Sequence, residues 1–291
     1  MKSTEHTEPR AVRQGRSILR LASGGALHVS GPAQAPPLLL LHGVGGAAWS
    51  WAPQAAALDA EVRCYRWEAR GHGLAARVAD AGLGEYYVDA CEALDAVCSD
   101  GGRPLVGGHS MGGLLALALA AERPADVAGL FLIEPVYAPD GGRHAAGALA
   151  GVARVVVSPV VRSLENDGAL GRVLARRFFT AAFEDRDAME RAWLEQRTQV
   201  PVEYPKMMYE AFEGPSGFPN RAFAREVSQP VTLLEGSVAR RRPRFPELNA
   251  TLAERLGERF SYVRIDGGHY LQLDRPEAVN AALRVALETV R

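Results

Sequence analysis

Residues 105–119 read LVGGHSMGGLLALAL, and Gly108-His109-Ser110-Met111-Gly112 stands at the centre of that run. Pro104-Leu105-Val106 before it is short and apolar, as a strand buried on both faces should be. Residues 113–121 after it are small and helix-forming, suited to close packing on a sheet. A serine in the pattern Gly-x-Ser-x-Gly between such a strand and such a helix is expected on a tight turn, in a strained backbone conformation. Side chains two residues before and after would strike the neighbouring strand and helix, which is the physical reason for Gly108 and Gly112. Ser110 is therefore the candidate nucleophile.

Working outward, the same alternation of strand and helix recurs on both sides. Residues 17–21 and 26–30, parted by Gly24-Gly25, predict a hairpin at the sheet's edge. Pro37-Leu38-Leu39-Leu40-Leu41 is a buried strand that closes on His42-Gly43-Val44-Gly45-Gly46, a loop with backbone N–H groups left free. Trp49 and Trp51 open a helix reaching about Leu58, and residues 62–67 form the next strand, which ends at Glu68-Ala69-Arg70-Gly71-His72-Gly73. A helix over 85–98 places Tyr86, Val88, Cys91, Leu94 and Val97 on its apolar side. Downstream, residues 128–134 make an apolar strand ending in Glu134 and closed by Pro135. Alternation returns with a strand at 230–234, a helix near 246–256, a strand at 260–265, the loop Asp266-Gly267-Gly268-His269-Tyr270 and a closing helix over 276–290. This order predicts an α/β fold: a mostly parallel, twisted sheet with helices on both faces.

Residues 138–220 lose that alternation and read as an inserted, mainly helical cap, left through Gly214-Pro215-Ser216-Gly217-Phe218-Pro219. The expected organisation is thus a loose arm over 1–16, a core made of 17–137 and 221–291, and a cap or lid over 138–220. At 291 residues with 47% apolar and 23% charged side chains the chain can bury a substantial core. Its net charge of −1 supplies no basic face, so nucleic acid is not an expected partner. Cys64, Cys91 and Cys98 have neither metal-ligand nor redox-motif spacing and read as reduced thiols. The first fourteen residues are polar with no apolar run behind them, so neither a secretory signal nor a membrane segment is expected, and the location expected is cytoplasmic.

A serine hydroxyl is almost fully protonated near neutral pH and needs a base within hydrogen-bond reach, together with donors for the oxyanion. Of the seven histidines, His6 lies in the arm, His28 in the hairpin, His144 in the cap, and His42 and His72 in glycine loops. His109 adjoins the serine but points elsewhere if Ser110 occupies the turn. His269 follows a late strand, where loops gather at the carboxyl ends of parallel strands, and is the candidate base.

With these residues in hand, the chain resembles the α/β-hydrolase superfamily, in its His-Gly-x-Gly branch with a helical cap. The matching stretches are His42-Gly43-Val44-Gly45-Gly46, Arg70-Gly71-His72-Gly73, Gly108-His109-Ser110-Met111-Gly112 and Gly267-Gly268-His269. The resemblance implies an oxyanion hole from the N–H groups of Met111 and Val44. It also implies an acid partner for His269, and here the chain departs from the commonest pattern. The family's usual register falls on Ala239, and no carboxylate stands between Gly236 and Pro246. A subset that includes the haloalkane dehalogenases takes its acid from the strand end occupied here by Glu134, 24 residues beyond Ser110. Glu134 is the first choice, with Glu235 and a plain Ser–His dyad as alternatives.

Candidate pocket residues are His42, Trp49 and His109 beside the serine and Phe178, Trp193 and Met208 from the cap, in company with Phe179, Met207 and Phe212. The basic run Arg240-Arg241-Arg242 and Arg244 reads either as a solvated loop or as a dock for an anionic substrate group or an acidic carrier domain. The resemblance implies a serine hydrolase of a small, mainly apolar ester, thioester or lactone, free or carrier-bound, with no metal or organic cofactor. A lyase, an acyltransferase, a C–C hydrolase and a non-catalytic binding module are the other occupants this fold admits.

Overall fold

The computed structural model describes residues 17–75, 82–136, 176–177, 180–199, 220–237 and 246–291. Eight strands form one sheet: β1 (Ser17–Arg20), β2 (Ala26–Ser30), β3 (Pro37–Leu41), β4 (Arg63–Glu68), β5 (Leu105–His109), β6 (Gly129–Ile133), β7 (Val231–Gly236) and β8 (Phe260–Ile265). Their spatial order is β1-β2-β4-β3-β5-β6-β7-β8. β1 pairs antiparallel with β2 and β2 with β4, so the expected hairpin is the edge, and every pair from β4 to β8 is parallel. A parallel pair needs a crossover long enough to hold a helix, and the intervening segments supply one repeatedly.

The helices are α1 (Ala52–Ala57), preceded by a 3-10 turn at Ala48–Trp51, α2 (Leu83–Gly101), α3 (Met111–Glu122), α4 (Arg186–Gln199), α5 (Asn220–Glu226), α6 (Pro246–Leu256), α7 (Leu271–Asp274) and α8 (Pro276–Thr289). Alternation along β3 divides the core between the two faces of the sheet. Leu39 and Leu41 join a cluster with side chains of α2, α3, α5 and α6, whereas Leu38 and Leu40 join one with side chains of α1 and α8. α3 is buried from Met111 to Ala120, which explains why it carries no polar stripe. The apolar side of α2 differs from expectation at one position. Tyr86, Ala90, Ala93, Leu94 and Val97 face the core, but Val88 is exposed, because 3.6 residues per turn carry it round to the solvent side.

Of the cap expected over 138–220, the described parts are residues 176–177, 180–199 and the start of α5 at Asn220. Phe178, Phe179, Met207, Met208 and Phe212 lie outside the described residues, as do the arm, Ala239 and the basic run 240–244. α4 packs through Met189, Ala192 and Trp193 against Ala47, Trp49 and Tyr270 of the core. Among the described residues, no helix is long and apolar enough to cross a membrane.

Candidate active site

Ser110 sits between β5 and α3 with φ 53° and ψ −114°, and is almost wholly buried. This is the left-handed region, costly for a side chain bearing a Cβ, at roughly 1–3 kcal/mol. The turn is held by its own peptide groups: the Ser110 N–H donates to Ile133 O at 3.0 Å, and the Ser110 carbonyl accepts from Gly113 at 3.1 Å and Val136 at 2.9 Å. A Cβ on Gly108 would come within 2.2 Å of Gly112 O, and one on Gly112 within 2.2 Å of Leu41 O. Any side chain at either glycine would force the strand and helix apart.

The loop after β3 lies against this turn, since a Cβ on Gly43 would stand 3.0 Å from the Ser110 Cβ. Among the described residues the N–H groups of Val44 and Met111 have no hydrogen-bond acceptor, the latter because it opens α3 and has no preceding turn to bond to. Two buried histidines shape this loop from beneath. His42 Nδ1 donates to Gly43 O at 2.7 Å while Nε2 accepts from the Ala69 N–H at 3.1 Å. His72 Nε2 accepts from the Gly45 N–H at 3.2 Å, and its Nδ1 donates to Arg70 O at 3.2 Å. Arg70 is in turn paired with the buried Asp89 carboxylate. Rather than walling a pocket, His42 is enclosed and stacked on Trp67 with ring centroids 5.0 Å apart, so it buttresses the loop.

Burial pushes His42 down to about 4 against the opposing pull of Gly43 O and Glu68, and burial followed by the neighbouring His42 pushes His72 well below the ordinary imidazole value of 6.5. Both rings are thus neutral, as their accepting Nε2 atoms require. The folded state binds fewer protons than the unfolded one below pH 6.5, so stability falls as pH falls from 6.5 towards 4. The expected loss from His42 alone is on the order of 3 kcal/mol by pH 4. Urea unfolding at pH 7 and at about pH 4.5 measures it, and equal stability at the two would contradict the buried-neutral assignment.

His269 lies in the loop after β8, brought to the same edge of the sheet. Its Nδ1 is 3.4 Å from Glu134 Oε2, and Glu134 Oε1 accepts from the Gly236 N–H at 2.7 Å. The His–Glu contact is at the long end for a hydrogen bond. Glu134 has φ 45°, and it and Ser110 are the two non-glycine residues with left-handed φ among those described. Strain is thus placed at the two strand ends that carry candidate chemistry. Glu235 points elsewhere: its Oε2 accepts from the Tyr262 hydroxyl at 3.0 Å. His109 is buried with its Nε2 donating to His269 O at 3.0 Å, so it braces the loop. Trp49 and Trp193 are nearly buried in the cluster that joins α4 to the core.

One carboxylate escaped the sequence reading. Asp274, at the end of α7, accepts backbone N–H bonds from Gly268 at 2.8 Å, Glu184 at 3.1 Å and Asp185 at 3.2 Å. The available signal was an acid closing the short LQLD run just before Arg275-Pro276. Among the described residues no three His, Cys, Asp or Glu side chains converge as metal ligands. Cys64 is buried, which pushes its thiol up to about 12 and leaves it inert near neutral pH.

The alpha/beta hydrolase family model matches residues 38–282. RutD of Variovorax paradoxus, which carries the name of a carbamate hydrolase, is 37% identical over 115 residues, 38% of this chain and 42% of that protein. The chain therefore aligns with less than half the length of that relative. (E)-2-((N-methylformamido)methylene)succinate hydrolase of Acinetobacter baylyi is 26% identical over 93% of this chain and 97% of its own length. Among solved structures, a thermophilic esterase from Thermogutta terrifontis superposes with a TM-score of 0.71 at 23% identity, covering 94% of this chain and 98% of that one.

Proposed function

The chain belongs to the alpha/beta hydrolase family, and on that footing we propose that it is a serine hydrolase, cleaving an ester, thioester or lactone of a small, mainly apolar substrate through an acyl-enzyme. The observation that carries the reading is Ser110 held at φ 53° at the head of α3, where the Met111 N–H has no acceptor among the described residues. In the proposed reaction Ser110 Oγ attacks the carbonyl carbon while His269 Nε2 takes its proton. The electron pair displaced to the carbonyl oxygen is met by the N–H groups of Met111 and Val44. The tetrahedral intermediate collapses as His269 returns the proton to the leaving oxygen or sulfur. Water then repeats the sequence on the acyl-enzyme and frees the acid and Ser110. Glu134 keeps the Nδ1 proton in place and offsets the charge of the imidazolium. The relatives named for hydrolysis, of a carbamate in one case, are consistent with chemistry at an acyl carbon.

A fluorophosphonate probe tests the proposal directly. Stoichiometric labelling that mass spectrometry places on Ser110 is the expected result. Absence of labelling under conditions that label a control serine hydrolase would turn the reading towards a lyase or a binding module in which the serine is not acylated.

A further inference from the structure

The backbone of His269 is bracketed from two sides. Its N–H donates to Ala182 O in the segment that enters α4, at 2.7 Å, and its carbonyl accepts from His109 Nε2 beside the nucleophile, at 3.0 Å. The next residue repeats the pattern: Tyr270 N–H reaches the same Ala182 O at 3.4 Å, and its ring lies between Phe183, stacked at 4.7 Å, and His109, also at 4.7 Å. Asp274 adds a buried, charged fastening to these direct contacts between the entry segment and the loop. One carboxylate oxygen, Oδ2, accepts from both Gly268 in the His269 loop and Glu184 in the cap segment, while Oδ1 accepts from Asp185. Asp185 caps α4 through its own carboxylate, which accepts the Ala188 N–H at 2.8 Å. Asp274 is 4% exposed, whereas the nearby Arg275–Glu184 pair at 2.9 Å is solvated and contributes little.

We propose that Asp274 is a positioning residue for His269: its buried carboxylate fastens cap residues 182–185 to the loop carrying the base, so that the seat of the cap sets the seat of the imidazole. Three charge-assisted bonds to one buried carboxylate are stronger and more directional than neutral ones. They run to backbone groups on both sides of the join, so neither segment can shift without breaking one. The inference rests on His269 being the general base.

The test uses the full chain and the rate of fluorophosphonate labelling between about pH 5 and 9, with Tm measured on each variant. Asp274→Asn keeps the shape but offers one acceptor oxygen in place of two and turns an NH₂ towards a donor. Labelling is expected to slow about 10- to 100-fold, as a displacement of about 1 Å at a reacting group does. Its acid limb should also move to lower pH, because an imidazole drawn away from Glu134 loses the carboxylate that favours its charged form. Glu184→Gln, which weakens the outer pair with Arg275 and leaves the Glu184 N–H bond to Asp274 in place, should stay within about twofold of wild type. Labelling of Asp274→Asn at the wild-type rate overturns the proposal, as does a slower rate with an unmoved acid limb, since lost stability alone would not shift that limb. If Asp274→Asn does not fold, Gly268→Ala serves in its place, because the added Cβ would stand 2.4 Å from Ala182 O and 2.8 Å from Asp274 Oδ2. It should show the same loss and the same shift, and wild-type behaviour would overturn the proposal. A wild-type protein that never labels removes the general-base reading instead, and is told apart because no variant is then needed to see it.

Discussion

Ser110→Ala is expected to abolish probe labelling and to lower kcat by roughly 10⁴- to 10⁶-fold, the scale seen when a serine nucleophile is deleted from a triad. The fold should survive. The substitution removes one oxygen, leaves every backbone bond of the turn in place, and keeps a Cβ at a φ already paid for by the surrounding hydrogen bonds. Tm should therefore stay within a few degrees of wild type. A panel of acyl substrates read beside circular dichroism checks both parts. Turnover by Ser110→Ala near the wild-type level would end the serine hydrolase reading, and a collapse of Tm would show that the hydroxyl carries structure as well.

The parts of this architecture that were legible in advance are those written in local chemistry. Leu38 to Leu41 had to be a strand buried on both faces, and Gly108 and Gly112 had to flank a close approach; the contacts at Leu41 O and Gly112 O give that approach its distance. The place of His269 was legible because a late loop follows a strand's carboxyl end, and the structure sets it there with Nδ1 3.4 Å from Glu134 Oε2. Roles that depend on long-range partners were less visible. His42 looked like a pocket residue because it adjoins the oxyanion loop, but its two ring nitrogens are spent on Gly43 O and the Ala69 N–H. His109 was read as turned from the nucleophile, yet its grip on His269 O spans 160 residues and leaves no local signature. Asp274 has no local signature for the same reason, since its partners Glu184 and Asp185 stand 90 and 89 residues before it. Val88 departs for a simpler reason: it stands two residues from Tyr86, and the helical period brings only spacings of three and four to one face.

The acid is the most exacting assignment. Glu134→Gln is expected to reduce kcat by something on the order of 10²- to 10⁴-fold while changing the shape of the site little. The amide oxygen can still accept from the Gly236 N–H, so the junction between β6 and β7 keeps its bond. What changes is the other terminus, 3.4 Å from His269 Nδ1, where an NH₂ would oppose an N–H. The imidazole then either loses its partner or adopts the tautomer that places the proton on Nε2, where it cannot receive one from Ser110. In both cases the imidazolium of the transition state lacks a counter-charge, so the loss should appear in kcat and in labelling rate alike, with little change in KM for a small apolar substrate. Glu235→Gln is the matched control. Its carboxylate is engaged by the Tyr262 hydroxyl, so the change should leave kcat within about twofold and cost about 1 kcal/mol of stability. If Glu134→Gln turns over like wild type while Glu235→Gln does not, the acid is Glu235. If neither matters, Ser110 and His269 work as a pair, and the strain at Glu134 serves the packing of Pro135 against Gly113.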